Sequence, residues 1–351
     1  MPSSLRWTIP TPDEDARSAA HERWRNLTKP EGSLGKLELL GERLASIVGE
    51  ARPRFRKKGI AVFAADHGVV AEGVSAYPSS VTAEMVENFL RGGAAINVLA
   101  RITGSELLVT DVGIAGPELA PRENLLRMRV APGTRNFSRE AAMTIEEARA
   151  AVQAGEKATE ELLRRGVDLL AVGDMGIGNT TCASALLCSM TGASPGEVVG
   201  PGTGLDRAGV ERKRETIARA LALHRPAPTD PWEAMRTVGG FELAAIAGAA
   251  LAAVERRVPV VLDGFISTTA GLWAARLAPG APALFLPSHA STEPGHARAL
   301  AALGLTPYLD LEMRLGEGTG SALQFLLLEA ACRLLDEMST FEEASVARKL
   351  P

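Results

Sequence analysis

Short, unbroken apolar runs recur along the chain, and each ends in a polar or glycine corner before a helical stretch begins. Five are plain: GIAVFAAD (Gly59–Asp66), ELLVTDVG (Glu106–Gly113), DLLAV (Asp168–Val172), PVVLDG (Pro259–Gly264) and ALFLPS (Ala283–Ser288). A strand with no polar alternation is buried on both faces, which is the condition of a parallel sheet covered by helices. The intervening segments carry helical patterns. Thr144–Gly166 is the strongest, with Thr144 and Glu147 spaced as a capping box and a glycine at its end. Val81–Gly93, Gly209–His224, Pro294–Leu303 and Gly318–Met338 read as further helices, and LLRMRV as a short strand. The alternation predicts an α/β fold built on a parallel, Rossmann-like sheet flanked by helices. Residues 13–50 are polar and helix-prone, interrupted by KPEGSLGKLE (Lys29–Glu38).

Composition narrows the class of partner. With 38 basic and 42 acidic residues among 351, the net charge of −4 gives no basic face for nucleic acid or for an anionic membrane. The longest apolar run, Leu243–Val254, is too short to span a bilayer. The first twenty residues have no apolar core of a signal peptide. Cys182, Cys188 and Cys332 cannot all pair within one chain and show no CxxC spacing, so a reducing, cytoplasmic setting is expected.

In open α/β sheets, ligands sit beyond the carboxyl ends of the strands. Five corners compete for that role here: AADHG, TDVG, VGDMGIGNTT, LDGF and LPSHAS. The third, Val172–Thr181, lacks the Lys-Ser/Thr pair of a Walker loop and the spacing of GxGxxG. It still suits one phosphate group. Gly176 and Gly178 let a ligand approach the backbone, and Asn179 or Thr180 is placed to cap the next helix, whose amino end favours an anion. A second glycine loop, VGPGTGLD (Val199–Asp206), offers more backbone donors, and Lys213 beyond it offers charge; alone, Lys213 reads more readily as a solvated lysine.

In MRLGEGTGSA (Met313–Ala322), Glu317 stands between two glycines at the start of the last helix. Two explanations remain open on the residues alone. The carboxylate complements the helix dipole, or it is left uncovered to take a proton from a ligand. His289, Glu293 and His296 in SHASTEPGH do not make an HExxH pattern, and helix-start chemistry explains them; no metal site is expected. His67 reads as a hydrogen-bonded loop histidine, and no Cys-His pair stands out.

The runs KPEGSLGKLE, FAADHGV, GVSAYPSSVTAEMV, GDMGIGNTT, VGGFE, LDGF, PSH and MRLGEGTG, in that order, resemble the nicotinate-nucleotide–dimethylbenzimidazole phosphoribosyltransferase family from about Lys29 to about Met338. The resemblance implies transfer of the 5-phosphoribosyl group of nicotinate mononucleotide to 5,6-dimethylbenzimidazole. It implies a homodimer, with a large α/β domain of about residues 51–304 and a small helical domain from residues 1–50 and about 305–351. It implies no cofactor. Glu317 takes the place of the family's base, and Asp174 takes a second catalytic position where many relatives carry Glu, one methylene longer, so contacts to nicotinate or the ribose would pass through water here. Gly176, Ile177, Gly178, Asn179, Thr180, Gly202, Lys213, Asp263 and Ser291 take the nucleotide and phosphate positions. Tyr77, Pro78, Ser80, Asn88, Met175 and Leu315 take the acceptor pocket. The resemblance leaves two rivals: the same transfer to another base or a phenol, and a non-catalytic sensor of nicotinate mononucleotide.

Overall fold

The computed structural model describes residues 6–227 and 229–348. Its centre is a six-stranded sheet of β1 (Lys58–Ala65), β2 (Glu106–Gly113), β3 (Leu125–Arg127), β4 (Leu169–Met175), β5 (Val260–Leu262) and β6 (Phe285–Pro287). All pairings are parallel and the order is β3-β2-β1-β4-β5-β6. Every apolar run predicted as a strand is in the sheet, and LLRMRV contributes its edge.

That order reverses direction between β1 and β4. The connections after β1 and β4 leave in opposite senses there and open a crevice above the strand ends. The sheet core is aliphatic, from Ile60, Val62, Val109, Leu170, Val172, Val261 and Leu286, all fully buried.

Helices Ile145–Arg164 and Phe241–Glu255 make the closest helix pair, and their small residues permit it. A side-chain carbon on Gly155 would collide with the carbonyl of Ala245, and one on Gly248 with the carbonyl of Val152. The expected capping box of the first helix is formed: Thr144 Oγ1 accepts from Glu147 N at 3.1 Å, and Glu147 Oε2 from Thr144 N at 2.6 Å.

At the chain ends, helices Glu14–Asn26, Lys36–Val48 and Thr319–Glu337 pack on one another. Ala20, Trp24, Leu27, Ala45 and Leu335 form a small separate core between them. Leu40, Leu44 and Ile47 of the second helix instead join the main core. This layer carries the last helix's amino end to the mouth of the crevice.

Among the described residues, no helix is long and apolar enough to cross a membrane. The cysteines Cys182, Cys188 and Cys332 are all free and buried.

Candidate active site

A cavity of about 670 Å³ opens over the ends of β4, β5 and β6. Of the residues expected from the sequence, Tyr77, Asp174, Met175, Gly176, Ile177, Asn179, Thr180, Gly202, Ser291, Leu315 and Glu317 line it. Residues from well-separated stretches of chain thus meet in one space.

The GIG turn after β4 is held in place by several contacts. Gly178 takes φ +94°, in the left-handed region, and is itself the cap of helix Asn179–Thr191. The sequence expectation that Asn179 or Thr180 caps this helix is therefore corrected. The Asn179 carboxamide donates to Asp174 Oδ2 at 2.8 Å, and Thr180 Oγ1 accepts from Lys213 Nζ at 2.7 Å. The Ile177 amide donates to Thr82 Oγ1 at 3.1 Å and the Asn179 amide to Gly176 O at 3.1 Å. The amides of Gly178 and Thr180 are left without an acceptor among the described residues. Of the two residues only Thr180 lines the cavity, so its amide is the donor this helix end has to offer an anion there.

Lys213 is fully buried, contrary to the solvated reading. Burial pushes its ammonium down to about 8, against the pull of the nearby Glu293 carboxylate. It does not line the cavity itself but stands behind Thr180 and Gly202: a side-chain carbon on Gly202 would come 2.7 Å from Thr180 Oγ1 and 3.2 Å from Lys213 Nζ. The Gly202 loop is clamped from two sides. Its amide donates to Glu293 Oε1 at 2.9 Å, and its carbonyl accepts from Arg314 Nη1 at 2.7 Å.

The other half of the site is acidic. Gly316, Glu317 and Gly318 have φ of +86°, +62° and +86°. Glycine tolerates that region, but a glutamate there is strained and persists because its surroundings hold it. The Glu317 amide donates to the carbonyl of Asp174 at 3.1 Å, which ties the turn to the end of β4. Glu317 Oε2 accepts from the amide of Ile96, at the start of helix Ala95–Thr103, at 3.4 Å. Burial raises the Glu317 carboxyl above its usual value, while that amide holds it back. Burial also raises Asp174 well above the usual range, with Asp263 and Glu242 adding to the shift.

Six expected residues do not line the cavity. Gly178 shapes the turn from behind. Lys213 acts at one remove, as above. Asp263 is fully buried, and its carboxylate accepts the amides of Gly318 at 3.1 Å and Ser321 at 3.0 Å. It caps the last helix and so ties down the turn that carries Glu317. Pro78 and Ser80 are exposed at the start of helix Ser80–Arg91, and Asn88 lies two turns along it, against Gly93.

Sequence reasoning passed over others. Glu293, Arg314 and His289 line the cavity. His296 fixes Ser291: its Nδ1 accepts the Ser291 amide at 2.9 Å, and Nε2 faces Thr268 Oγ1 at 3.0 Å. Burial, with His289 beside it, pushes His296 down to about 3, so the ring stays neutral. The sequence signal was there, since SHAS ends a strand, but the five-residue return from His296 is a tertiary feature. Among the described residues, no group of three or more His, Cys, Asp or Glu is placed to hold a metal.

A nucleotide-type parallel sheet whose crevice pairs an anion-binding helix end with buried carboxyls is the framework of a phosphoribosyl-transfer enzyme. The chain belongs to the phosphoribosyltransferase family, whose model of that description matches residues 9–346. Within it, the chain is 51% identical to the nicotinate-nucleotide–dimethylbenzimidazole phosphoribosyltransferase of Chloroflexus aggregans, covering 96% of this chain and 95% of that one. It is 50% identical to the protein of the same name from Desulforudis audaxviator, over 96% and 95%. The crystal structure of CobT from Thermus thermophilus superposes with a TM-score of 0.92 at 49% identity, covering 95% of this chain and 100% of that one.

Proposed function

We propose that this enzyme transfers the 5-phosphoribosyl group of nicotinate mononucleotide to 5,6-dimethylbenzimidazole, releasing nicotinate and α-ribazole 5′-phosphate. The observation that carries the reading is the meeting of Glu317, Asp174 and the Gly176–Thr180 turn in one cavity. The 5′-phosphate sits on the cavity face of the Gly176–Thr180 turn, at the free amide of Thr180, with the Lys213 ammonium behind Thr180. Binding energy from that remote group holds C1 of the ribose in line with the acceptor. Tyr77, Val81, Met85, Met175 and Leu315 supply apolar walls for the flat acceptor.

The glycosidic nitrogen of the donor is a pyridinium. As its bond to C1 breaks, the electron pair returns to the ring and nicotinate leaves with a neutral nitrogen, so this departure needs no proton. C1 passes through an oxocarbenium-like state. One imidazole nitrogen of the acceptor attacks from the opposite face, which turns a β donor into an α product. Positive charge then builds on the acceptor ring, and the proton on its other nitrogen moves to Glu317. A carboxyl raised by burial is a better proton acceptor than an exposed one. Asp174 stands beside it, its carboxyl raised well above the usual range by burial.

The acceptor wall is loose: Tyr77 is 53% and Leu315 57% exposed. That favours a second reading, in which other flat bases or a phenol replace dimethylbenzimidazole. The same proposal takes the terminal helical layer as a small domain and places the enzyme in the cytoplasm, a setting its free cysteines suit. It includes a homodimer, for which exposed Leu39, Val98, Ile102 and Leu326 offer apolar surface.

The test is a product assay with nicotinate mononucleotide and mixed acceptors, products separated by chromatography. Equal amounts of nicotinate and α-ribazole phosphate are expected. Nicotinate without any ribosylated base would overturn the transfer, and preference for another acceptor would replace dimethylbenzimidazole.

A further inference from the structure

His67 follows the end of β1 and is buried on the far side of the GIG turn from the cavity. Its ring has a neighbour at each nitrogen, a hydrogen bond at Nδ1 and an ion-pair contact at Nε2. Nδ1 lies 3.1 Å from Cys182 Sγ, in the first turn of the helix whose amino end forms the candidate phosphate site. Nε2 lies 3.2 Å from Glu242 Oε1, at the start of helix Phe241–Glu255. Cys182 and Glu242 are fully buried. Three elements from three regions of sequence thus meet on one imidazole.

The ring is also the floor of the turn. A side-chain carbon on Gly176 would come 3.0 Å from His67 Nε2, and one on Gly178 would come 3.5 Å from His67 Cβ. A carbon on Gly240, just before Glu242, would come 2.8 Å from His67 Cε1. No side chain would fit between the ring and Gly176 or Gly240, so the ring's position limits where the Gly176 backbone can sit. Neither oxygen of Glu242 has a well-aligned hydrogen-bond partner among the described residues, which leaves the His67 ring as its ion-pair neighbour. Burial opposes a charge on His67, but Cys182 and Glu242 outweigh it and lift the ring well above the usual histidine value.

We propose that His67, clasped between Cys182 and Glu242, is a positioning residue for the donor phosphate: it sets the height and tilt of the GIG turn and so aims the Thr180 amide. It touches neither substrate in this arrangement and acts through the turn. The inference rests on the phosphate reading given above.

The experiment compares nicotinate mononucleotide with its dephosphorylated riboside as donors, in wild type and in variants, with dimethylbenzimidazole saturating. Wild type is expected to prefer the nucleotide strongly; equal use of both would overturn the phosphate reading and this inference with it. His67→Gln can keep the Glu242 contact and loses Cys182. His67→Asn does the reverse. Each should raise KM for the nucleotide by roughly tenfold or more while kcat stays within about threefold, and should leave kcat/KM for the riboside nearly unchanged. Cys182→Ser, which keeps a hydrogen-bonding group at Nδ1, should stay near wild type. Cys182→Val, of similar volume but apolar, should reproduce the His67 pattern and serves where a His67 variant does not fold. An equal fall for nucleotide and riboside would show that the triad merely supports the fold, and unchanged nucleotide KM in Cys182→Val and the folded His67 variants would remove the positioning role outright.

Discussion

The two ends of the cavity solve opposite electrostatic problems. At the GIG turn the protein gathers positive character: two free amides, a helix dipole and a buried ammonium. At the Gly316–Gly318 turn it gathers carboxyls: Glu317 and Asp174 face the cavity and Asp263 lies beneath. Both ends depend on left-handed backbone, at Gly178 in one and at Glu317 with its flanking glycines in the other. The difference lies in what the strain presents. One turn presents backbone donors, which the proposed function assigns to the donor phosphate. The other presents a single side chain, desolvated and ready to take a proton. The proposed function thereby assigns binding and chemistry to separate turns, and substitutions should separate them too.

The largest effect should come from the acidic turn. Glu317→Gln keeps shape and loses the base, so kcat should fall by at least about 10²-fold with little change in mononucleotide affinity. Steady-state kinetics beside direct binding of the mononucleotide checks it; an unchanged kcat would take the proton from Glu317 and leave the comparison without its second half.

The basic turn should respond in the opposite parameter. Lys213→Met removes a buried cation but keeps the stem. Loss of a charge-assisted contact worth about 1.5–3 kcal/mol should raise KM for the mononucleotide by roughly 10- to 100-fold and spare kcat. If kcat fell instead, Lys213 would belong to the chemistry and the division would be broken.

A pH profile sharpens the same contrast. kcat/KM reports groups of the free enzyme. Glu317 must be ionised to act and its carboxyl is raised, so activity should rise with pH along a limb displaced above the usual glutamate value of 4.5. Lys213 must be protonated to attract phosphate and sits at about 8, so kcat/KM should fall as pH rises past about 8. In Lys213→Met the alkaline limb should vanish and the acid limb should stay.

How much of this was legible beforehand differs between the turns. The GIG glycines and the Glu317 turn are local patterns, and a sequence displays local patterns. The parallel sheet was equally plain, because burial on both faces leaves unbroken apolar runs. Lys213 was not. It lies on a helix rich in charge, where its neighbours Arg212 and Arg214 read the same, and its burial comes from packing against Thr180, 33 residues away. Asp263 took a nucleotide position only through the family resemblance, and its oxygens accept from amides 55 and 58 residues on. The His67 clasp joins positions 115 and 175 residues apart (67 to 182 and 67 to 242), and no spacing rule reaches that far.

The smallest effect tests the cost of collecting acids in one place. Asp174 is buried beside Asp263, and burial comes first among the causes that raise it well above 3.8. The folded state therefore holds a proton that the unfolded chain releases near the ordinary value. By linkage, that difference makes stability fall as pH rises from about 3.8 toward the raised folded value. Asp174→Asn does not titrate, and its carbonyl oxygen can still accept from the Asn179 carboxamide, which meets Asp174 Oδ2 at 2.8 Å. The variant should match wild type in thermal stability near pH 3 and exceed it at pH 7, by roughly 1.4 °C in Tm for each kcal/mol relieved. The same variant should lose activity, because it removes an acid from the cavity. A Tm gap that is constant with pH would mean the carboxyl is not under strain, and the acidic turn would then hold its charges at no cost to the fold.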